Sequence, residues 1–534
     1  MTKQARSHPA GRTLPLLSNW LRHVMGIDPN ATALTFAESS LPWSYLADVT
    51  RDLDALLSSH PSARRVGLVL RNRPAQLAAL LAVIATGRQV VTLSPHVGET
   101  GLGDDIRSLR PDVVIADEED WARDAVRDAA EDIGAVPLIA RQETGLRLRP
   151  DSWTPAPPTP PGLPGLPADD VAVVMMTSGT TGKPKRVSLT YPQLTAAFQA
   201  AGTMLDDSTG PRLRRGCVIL WSSLAHISGL YFAIAHAVDG RSVALMERFQ
   251  VEEWARLVCR HRPRQLRLPP TAIRMVLHAE LPADTFSSVR AIGSGTAPLP
   301  PELAEEFEAR YGVPVLATYG ATEFAGAIAG WSLADHRQWA GTKRGSVGRA
   351  HRGIELRVVD RTTQDVQTPG GVGLLEVRGP QLPVADGGWL RTNDLASLDE
   401  DGFLFIHGRA DDAINRGGFK IPPSVIEDAL HQHPAVSDAT AVGLPDERLG
   451  EVPVVAVTLC GQASRQDLLD HLTSRLTRYQ MPVDLRILDQ LPRTPSLKVD
   501  RPRLQKLFTA DGTPGHALPE PAERAGGPFP DHRG

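Results

Sequence analysis

The nine residues Thr177-Ser-Gly-Thr-Thr-Gly-Lys-Pro-Lys185 combine the side chains and spacing needed to grip a polyphosphate. Gly179 and Gly182 can take positive φ and bring backbone N–H groups up to an anion. The hydroxyls of Thr177, Ser178, Thr180 and Thr181 and the ammonium groups of Lys183 and Lys185 add donors and positive charge. A Walker A loop needs four residues between its glycines and a Ser or Thr after its lysine, whereas here the glycines enclose two and Pro184 follows Lys183. This argues for a nucleotide loop of another kind. Taken alone, a Gly/Thr-rich surface turn is the lesser, bland reading of the stretch.

The elements that must position this loop read as α/β layers. An apolar run at 171–176 precedes the loop and a segment of helical character follows it at 191–204. From 65 to 317, short β-branched runs (66–70, 89–93, 113–116) alternate with longer helical stretches such as 74–86. The apolar segment 77–85 is about half the length a membrane-spanning helix needs, so it is expected to pack against a sheet. The proline-dense 155–167 predicts an extended connection within a large domain. Strand-like pieces at 354–359 and 374–377, around the turn Thr368-Pro-Gly-Gly371, predict a β-rich subdomain. Beyond Arg409-Ala-Asp-Asp412 a smaller alternation restarts, with helices at 424–431 and 465–475 and strands at 439–442 and 454–459. Residues 510–534, rich in Pro, Gly and charge, predict a disordered tail.

A chain of 534 residues is too long for one core and implies two to four domains. Its net charge of −4 gives no support to nucleic-acid binding. Cys217, Cys259 and Cys460 have neither metal-ligand spacing nor the pattern of a disulfide framework, which suits a reducing, cytoplasmic setting. The apolar stretch near the N-terminus is broken by Ser18 and Asn19 before it forms a signal-peptide core, and no membrane insertion is expected.

Six further segments follow the loop in order: Leu224-Ala-His-Ile-Ser-Gly229, Ser294-Gly-Thr-Ala-Pro298, Tyr319-Gly-Ala-Thr-Glu323, Trp389-Leu-Arg-Thr-Asn-Asp394, Gly408-Arg-Ala-Asp-Asp412 and Leu491-Pro-Arg-Thr-Pro-Ser-Leu-Lys498. With the loop they resemble the adenylate-forming superfamily of acyl- and aryl-CoA synthetases, peptide-synthetase adenylation domains and beetle luciferases, over residues 40 to 508. The resemblance implies a large, multi-subdomain α/β N-terminal adenylation domain (1–408), a hinge (409–412) and a small, mobile α+β C-terminal domain (413–509). It also implies ATP, Mg²⁺ and CoA as co-reactants and a small-molecule carboxylic acid as substrate.

The implied reaction explains the residue types. A carboxylate must attack the α-phosphate of ATP, so two anions meet and pyrophosphate leaves, which requires cations and fixed donors. By resemblance, Lys498 bridges carboxylate and phosphate, Glu323 holds Mg²⁺ beside Thr322, and the loop grips the β- and γ-phosphates. Tyr319, followed by Gly320, stacks on adenine, the Gly295-Thr296-Ala297-Pro298 backbone lines the base, and Asp394 accepts from the ribose hydroxyls with Arg409 nearby. Alone, Tyr319 would read as a core aromatic, Asp394 as a turn residue and Lys498 as a surface lysine. His226, a lone His in an apolar segment, is expected to border the acyl pocket and thiol channel without acting as a base.

Ile227 stands where amino-acid-activating relatives carry an Asp, and a neutral side chain cannot neutralise a substrate ammonium. The acid is therefore expected to lack an α-amino group. Ser228, Ser294 and Ala325-Gly326-Ala327 are expected to line a cavity for an aromatic, polycyclic or long acyl body. The resemblance has the C-terminal domain rotate about Asp411, withdrawing Lys498 and presenting Gly417-Gly418 so that a pantetheine arm reaches the adenylate. CoA is the first choice of acceptor, a carrier-protein pantetheine the second and an amine the third. A catalytically silent nucleotide- or acyl-binding protein is the rival from another class, opposed by the intact Lys498, Glu323, Asp394 and Arg409. The sequence departs from the family pattern at Met176, Arg186, Asn393 and Leu497, the last a leucine where glycine usually stands beside the catalytic lysine.

Overall fold

A computed structural model describes residues 14–97, 100–142, 145–148, 170–177, 185–202, 210–384, 387–417, 419–494 and 499–510, with the backbone alone at 148, 176, 177, 185, 420 and 510. The proline-dense stretch, the loop interior at 178–184, Gly418, Leu497, Lys498 and the C-terminal tail therefore lie outside the described residues. The chain forms two compact units, one reaching to Ile406 and the other built on His407–Thr494 and the residues from Val499.

In the first unit, the alternation of β-branched runs and helices produces a seven-stranded sheet. Arg65–Val69 lies between Gln89–Leu93 and Val113–Ala116, all parallel, and Val171–Thr177 joins parallel to Gln89–Leu93. Helix Pro74–Ala85 packs on these strands and against helices Leu16–Ile27, Trp43–Leu56 and Ile227–Val238. Proline at its first position costs no hydrogen bond, Ala and Leu lose little rotamer freedom, and Gly87 (φ +67°) follows its end. Every residue of this helix is buried. Each of its Leu, Ile and Val side chains gains about 1.5–3 kcal/mol from leaving water.

The second sheet that matters for chemistry runs Gln265–Arg267, Ala291–Ser294, Val315–Ala321, Gly326–Gly330 and Arg349–Ala350. Its first three strands are parallel, and their C-terminal ends, where α/β sheets bind ligands, carry Arg267, Ser294 and Tyr319. An antiparallel sheet of Glu355–Val359, Gly373–Arg378, Leu390–Leu398 and Leu404–Arg409 forms the expected β-rich portion, and the division between the units falls within its last strand.

The second unit is a smaller α+β layer. Its sheet runs Phe419–Ile421, Ile414–Arg416, Gly450–Leu459 and Val436–Asp446, with Asp484–Ile487 parallel to Gly450–Leu459. Helices Pro423–His431 and Arg465–Thr473 contribute Ile426, Leu430, Leu468 and Leu472 to a core closed by Val455 and Leu485.

Two differences from the sequence reading have physical causes. Strand Lys185–Thr190 precedes helix Tyr191–Ala200 and pairs antiparallel with Val171–Thr177, Thr177 standing opposite Lys185. Thr190 then caps the helix reciprocally with Gln193, whose side-chain oxygen accepts from Thr190 N at 2.8 Å. In the second unit, the hairpin Val436–Asp446/Gly450–Leu459 extends beyond the expected strands. Gly443, Pro445 and Pro453 hid that extension from a periodicity reading.

Candidate active site

The tight hairpin formed by Val315–Ala321 and Gly326–Gly330 places the central residues of the site. A Cβ on Gly320 would lie 2.3 Å from the Gly326 carbonyl oxygen and 2.7 Å from the Ala327 Cα, so only glycine lets the two backbones meet. The connecting 3-10 turn Thr322–Phe324 ends at Ala325, a fully buried residue with φ +55°. The buried Gln381 amide holds that turn, donating to the Phe324 carbonyl at 2.7 Å. Left-handed backbone at an alanine costs on the order of 1 kcal/mol and persists only where its surroundings fix it. Glu323 consequently stands exposed on the turn, with Thr322 half-buried beside it.

Tyr319, on the same hairpin, donates its hydroxyl to the Asp394 carboxylate, 75 residues later in the chain. Asp394 lies on strand Leu390–Leu398, where its own N–H donates to Thr392 Oγ1 at 3.1 Å and Thr392 donates to the Leu375 carbonyl at 2.9 Å. Two residues that the sequence reading assigned to adenine and ribose thus meet at one place. Next to them, Ser294 is buried, Gly295 has room for no side chain because Thr318 Oγ1 would be 2.6 Å from its Cβ, and Thr296 adopts φ +71°. Strain of this kind keeps a backbone at a ligand site in one shape.

His226 forms the non-helical start of helix Ile227–Val238, with Ile227 and Ser228 half-buried on its first turn. Gly229 permits this geometry, since a Cβ there would fall 2.1 Å from the Ser223 carbonyl oxygen. One turn on, the Tyr231 ring would meet a Cβ on Gly326 at 3.0 Å and packs on Phe198 with ring centroids 5.0 Å apart. The side chain that Gly326 lacks therefore makes room for Tyr231.

Sequence reasoning missed a polar cluster around that ring. Arg267 lays its guanidinium 4.0 Å above the Phe232 ring, and Phe232 stacks on His236 at 5.8 Å. Burial pushes the Tyr231 phenol up to about 12. Burial first, and then the charges of Arg267 and Arg241, push His236 down to about 3. Both groups are neutral at physiological pH. The His351 imidazole, on a residue whose backbone N–H donates to the Ile328 carbonyl at 2.8 Å, is also shifted down by burial. The available signal was a charge interrupting the apolar run Leu266-Arg-Leu268, which periodicity alone does not assign to a cleft.

Arg186, one of the departures, reaches across to the Ser108 carbonyl at 2.9 Å at the end of helix Gly101–Leu109, tying the hairpin strand to the sheet's flank. In the second unit, Arg409 and Asp411 form a two-pronged ion pair, both contacts at 2.8 Å. Gly417 takes φ +57° and donates to the Leu449 carbonyl at 2.7 Å. Among the described residues no group of three or more His, Cys, Asp or Glu could hold a metal by itself. A single exposed carboxylate, Glu323, fits Mg²⁺, which keeps waters and takes one or two carboxylates together with phosphates. No described helix is long and apolar enough to cross a membrane.

Residues 21–385 match the AMP-binding enzyme family, and residues 425–498 match the AMP-binding enzyme C-terminal domain. A sulfoacetate–CoA ligase of Cupriavidus necator is 36% identical over 411 residues, covering 73% of this chain and 76% of that protein. An indoleacetate–CoA ligase of Aromatoleum aromaticum is 30% identical over 516 residues, covering 92% and 98%. The structure of O-succinylbenzoate coenzyme A synthetase from Bacillus subtilis, in complex with ATP and magnesium ion, superposes with a TM-score of 0.72 at 26% identity, covering 91% of this chain and 99% of that one.

Proposed function

The chain belongs to the AMP-binding enzyme family, and from that premise we propose that it is an ATP- and Mg²⁺-dependent carboxylic acid–CoA ligase working through an acyl-adenylate. The observation that carries this reading at the level of the site is the meeting of Tyr319 and Asp394 beside the strained Ser294–Pro298 backbone and the Thr322–Glu323 turn. An aromatic face, a ribose acceptor and a carboxylate for a phosphate-bound cation stand on adjoining elements.

In the first half-reaction the acid's carboxylate attacks the α-phosphate and pyrophosphate departs. The loop 177–185 neutralises the outer phosphates, Tyr319 stacks on the base, and Asp394 orients the ribose while its second oxygen function is held by the tyrosine hydroxyl. Glu323, together with the phosphates, would hold Mg²⁺, which would supply charge withdrawal at the leaving group. Lys498 bridges the two reacting anions. In the second half-reaction the CoA thiolate attacks the acyl carbonyl and AMP leaves, with His226 bordering the thiol's path and Gly417-Gly418 leaving room for the pantetheine arm.

Ile227 at the start of the pocket helix supports an acid without an α-amino group. The three free cysteines support a reducing, cytosolic setting.

The test is mass spectrometry of the purified protein with ATP, Mg²⁺ and a panel of carboxylic acids, with and without CoA. Acyl-CoA formed only when CoA is present is the expected result. An acyl-adenylate that persists unchanged with CoA would transfer the assignment to a carrier-protein or amine acceptor. ATP binding with no pyrophosphate release from any acid would overturn the ligase reading.

A further inference from the structure

The acyl side of the site holds a cation, Arg267, that pairs with no carboxylate among the described residues. Arg267 ends the strand Gln265–Arg267, in register with Gly293 and one step from Ser294, so it stands at the rim where the nucleotide-side backbone begins. Its side chain is open to solvent at the end of the strand, with the guanidinium 4.0 Å over the Phe232 ring. No carboxylate or carbonyl among the described residues accepts a hydrogen bond from Arg267. Elsewhere in this unit the inward-facing arginines are paired: Arg71 with Asp120 at 2.8 Å, Arg88 with Asp54 at 2.8 Å and Arg357 with Glu376 at 2.6 Å. Arg267 breaks that pattern.

The geometry also says which part of the arginine is available. One face of the plane lies on Phe232, so the in-plane N–H edge is left to meet a ligand. The glycine at 293 keeps that edge clear, since a Cβ there would come 3.2 Å from Nη1. The polar groups nearby are not spent on one another, because His236 Nδ1 and Ser294 Oγ are both buried without a hydrogen-bond partner. A guanidinium edge matches the two oxygens of a planar or tetrahedral oxyanion.

We infer that Arg267 anchors a second anionic group, a carboxylate or a sulfonate, on the acid that is activated, so that the substrate class is a dianionic acid and not a wholly apolar one. This rests on the ligase reading above and narrows its substrate. One anion is consumed in forming the adenylate, and the other stays charged through both half-reactions while held at the far end of the pocket by Arg267. Phe232 and the Tyr231 ring bound the apolar stretch between them.

The experiment compares matched acids on the full-length enzyme with ATP, Mg²⁺ and CoA. Dicarboxylic acids and sulfonated carboxylic acids are set against their half methyl esters and unsubstituted parents of equal length, with kcat/KM read from pyrophosphate release. The wild type is expected to favour the dianionic member of at least one pair by about 10- to 100-fold, the range for a charge-assisted hydrogen-bonded pair. Arg267→Gln is expected to erase that preference while leaving turnover of the neutral partner within several-fold, and Arg267→Lys to restore part of it. The dicarboxylate and sulfonate arms identify which oxyanion is preferred. ATP binding and the thermal midpoint of each variant establish that it is folded, and Arg267→Lys carries the test if the glutamine variant is not. Neutral acids used as well as or better than dianionic ones, with the ratio unmoved in the variants, would overturn the inference and leave the ligase standing. Failure to activate any acid would instead remove the ligase reading itself.

Discussion

At the residue scale, the fold holds a buried histidine in one protonation state. His236 is held neutral by burial and by the positive charges of Arg267 and Arg241, which push it from 6.5 down to about 3. The sign follows from linkage: between those two values the unfolded chain binds a proton that the folded chain refuses, so stability falls as pH drops from about 6.5 towards about 3. His236→Gln removes this contribution without removing the polar shape. The urea midpoint of the wild type is expected to drop more steeply between pH 7.5 and 5 than that of the variant, with the remaining slope coming from histidines such as His351 and His407, which burial also shifts down. Identical pH dependence in the two proteins would show that His236 titrates normally. His236 and Arg267 were illegible in the sequence because their surroundings come from helix Ile227–Val238, strand Gln265–Arg267 and the His351 region together.

At the element scale, the hairpin Val315–Ala321/Gly326–Gly330 is the platform on which Tyr319, Thr322 and Glu323 are held. Its tolerance is small. Gly320→Ala would set a methyl 2.3 Å from a backbone oxygen, and a backbone atom cannot swing aside as a side chain can. The strands must separate, costing roughly 1–3 kcal/mol or more and moving Tyr319 away from Asp394. The expected outcome is a thermal midpoint lowered by several degrees together with at least tenfold slower pyrophosphate release. A variant with wild-type stability and rate would show that the hairpin has slack these contacts do not reveal. Glycine at 320 was visible in the sequence as part of Tyr319-Gly-Ala-Thr-Glu323, but its reason was not, since the atoms it avoids belong to Gly326 and Ala327 across the hairpin. The strand Lys185–Thr190 escaped notice for a related reason: a six-residue edge strand has too few residues for its alternation to stand out beside a glycine-rich loop.

At the scale of the whole molecule, the chain divides into two compact units, with the boundary between Ile406 and His407 and the Arg409–Asp411 ion pair just beyond it. The proposed reaction assigns a different residue of the C-terminal region to each half-reaction: Lys498 to adenylation and Gly417-Gly418 to thioester formation. Lys498→Ala is therefore expected to lower acyl-adenylate formation by at least a hundredfold while a supplied acyl-adenylate is still converted to acyl-CoA at near the wild-type rate. Equal loss of both steps would show that the lysine serves both and would remove this division of labour.

By itself the sequence determined the reaction class, through the ordered motifs from Thr177 to Lys498 that resemble the adenylate-forming superfamily and whose side chains suit polyphosphate binding and carboxylate activation. It also determined most of the layer pattern, since helix 74–85 and the strands at 65–69, 89–93 and 113–116 are written in local hydrophobic periodicity. Only the tertiary structure decided that Tyr319 meets Asp394, that Tyr231 fills the space beside Gly326, and that Arg267 lies over the Phe232 ring with no carboxylate partner among the described residues. These contacts join residues 35 to 95 positions apart. Hydrophobic periodicity encodes which face of an element is buried, but the chemistry of a cleft depends on which elements the fold brings together across it.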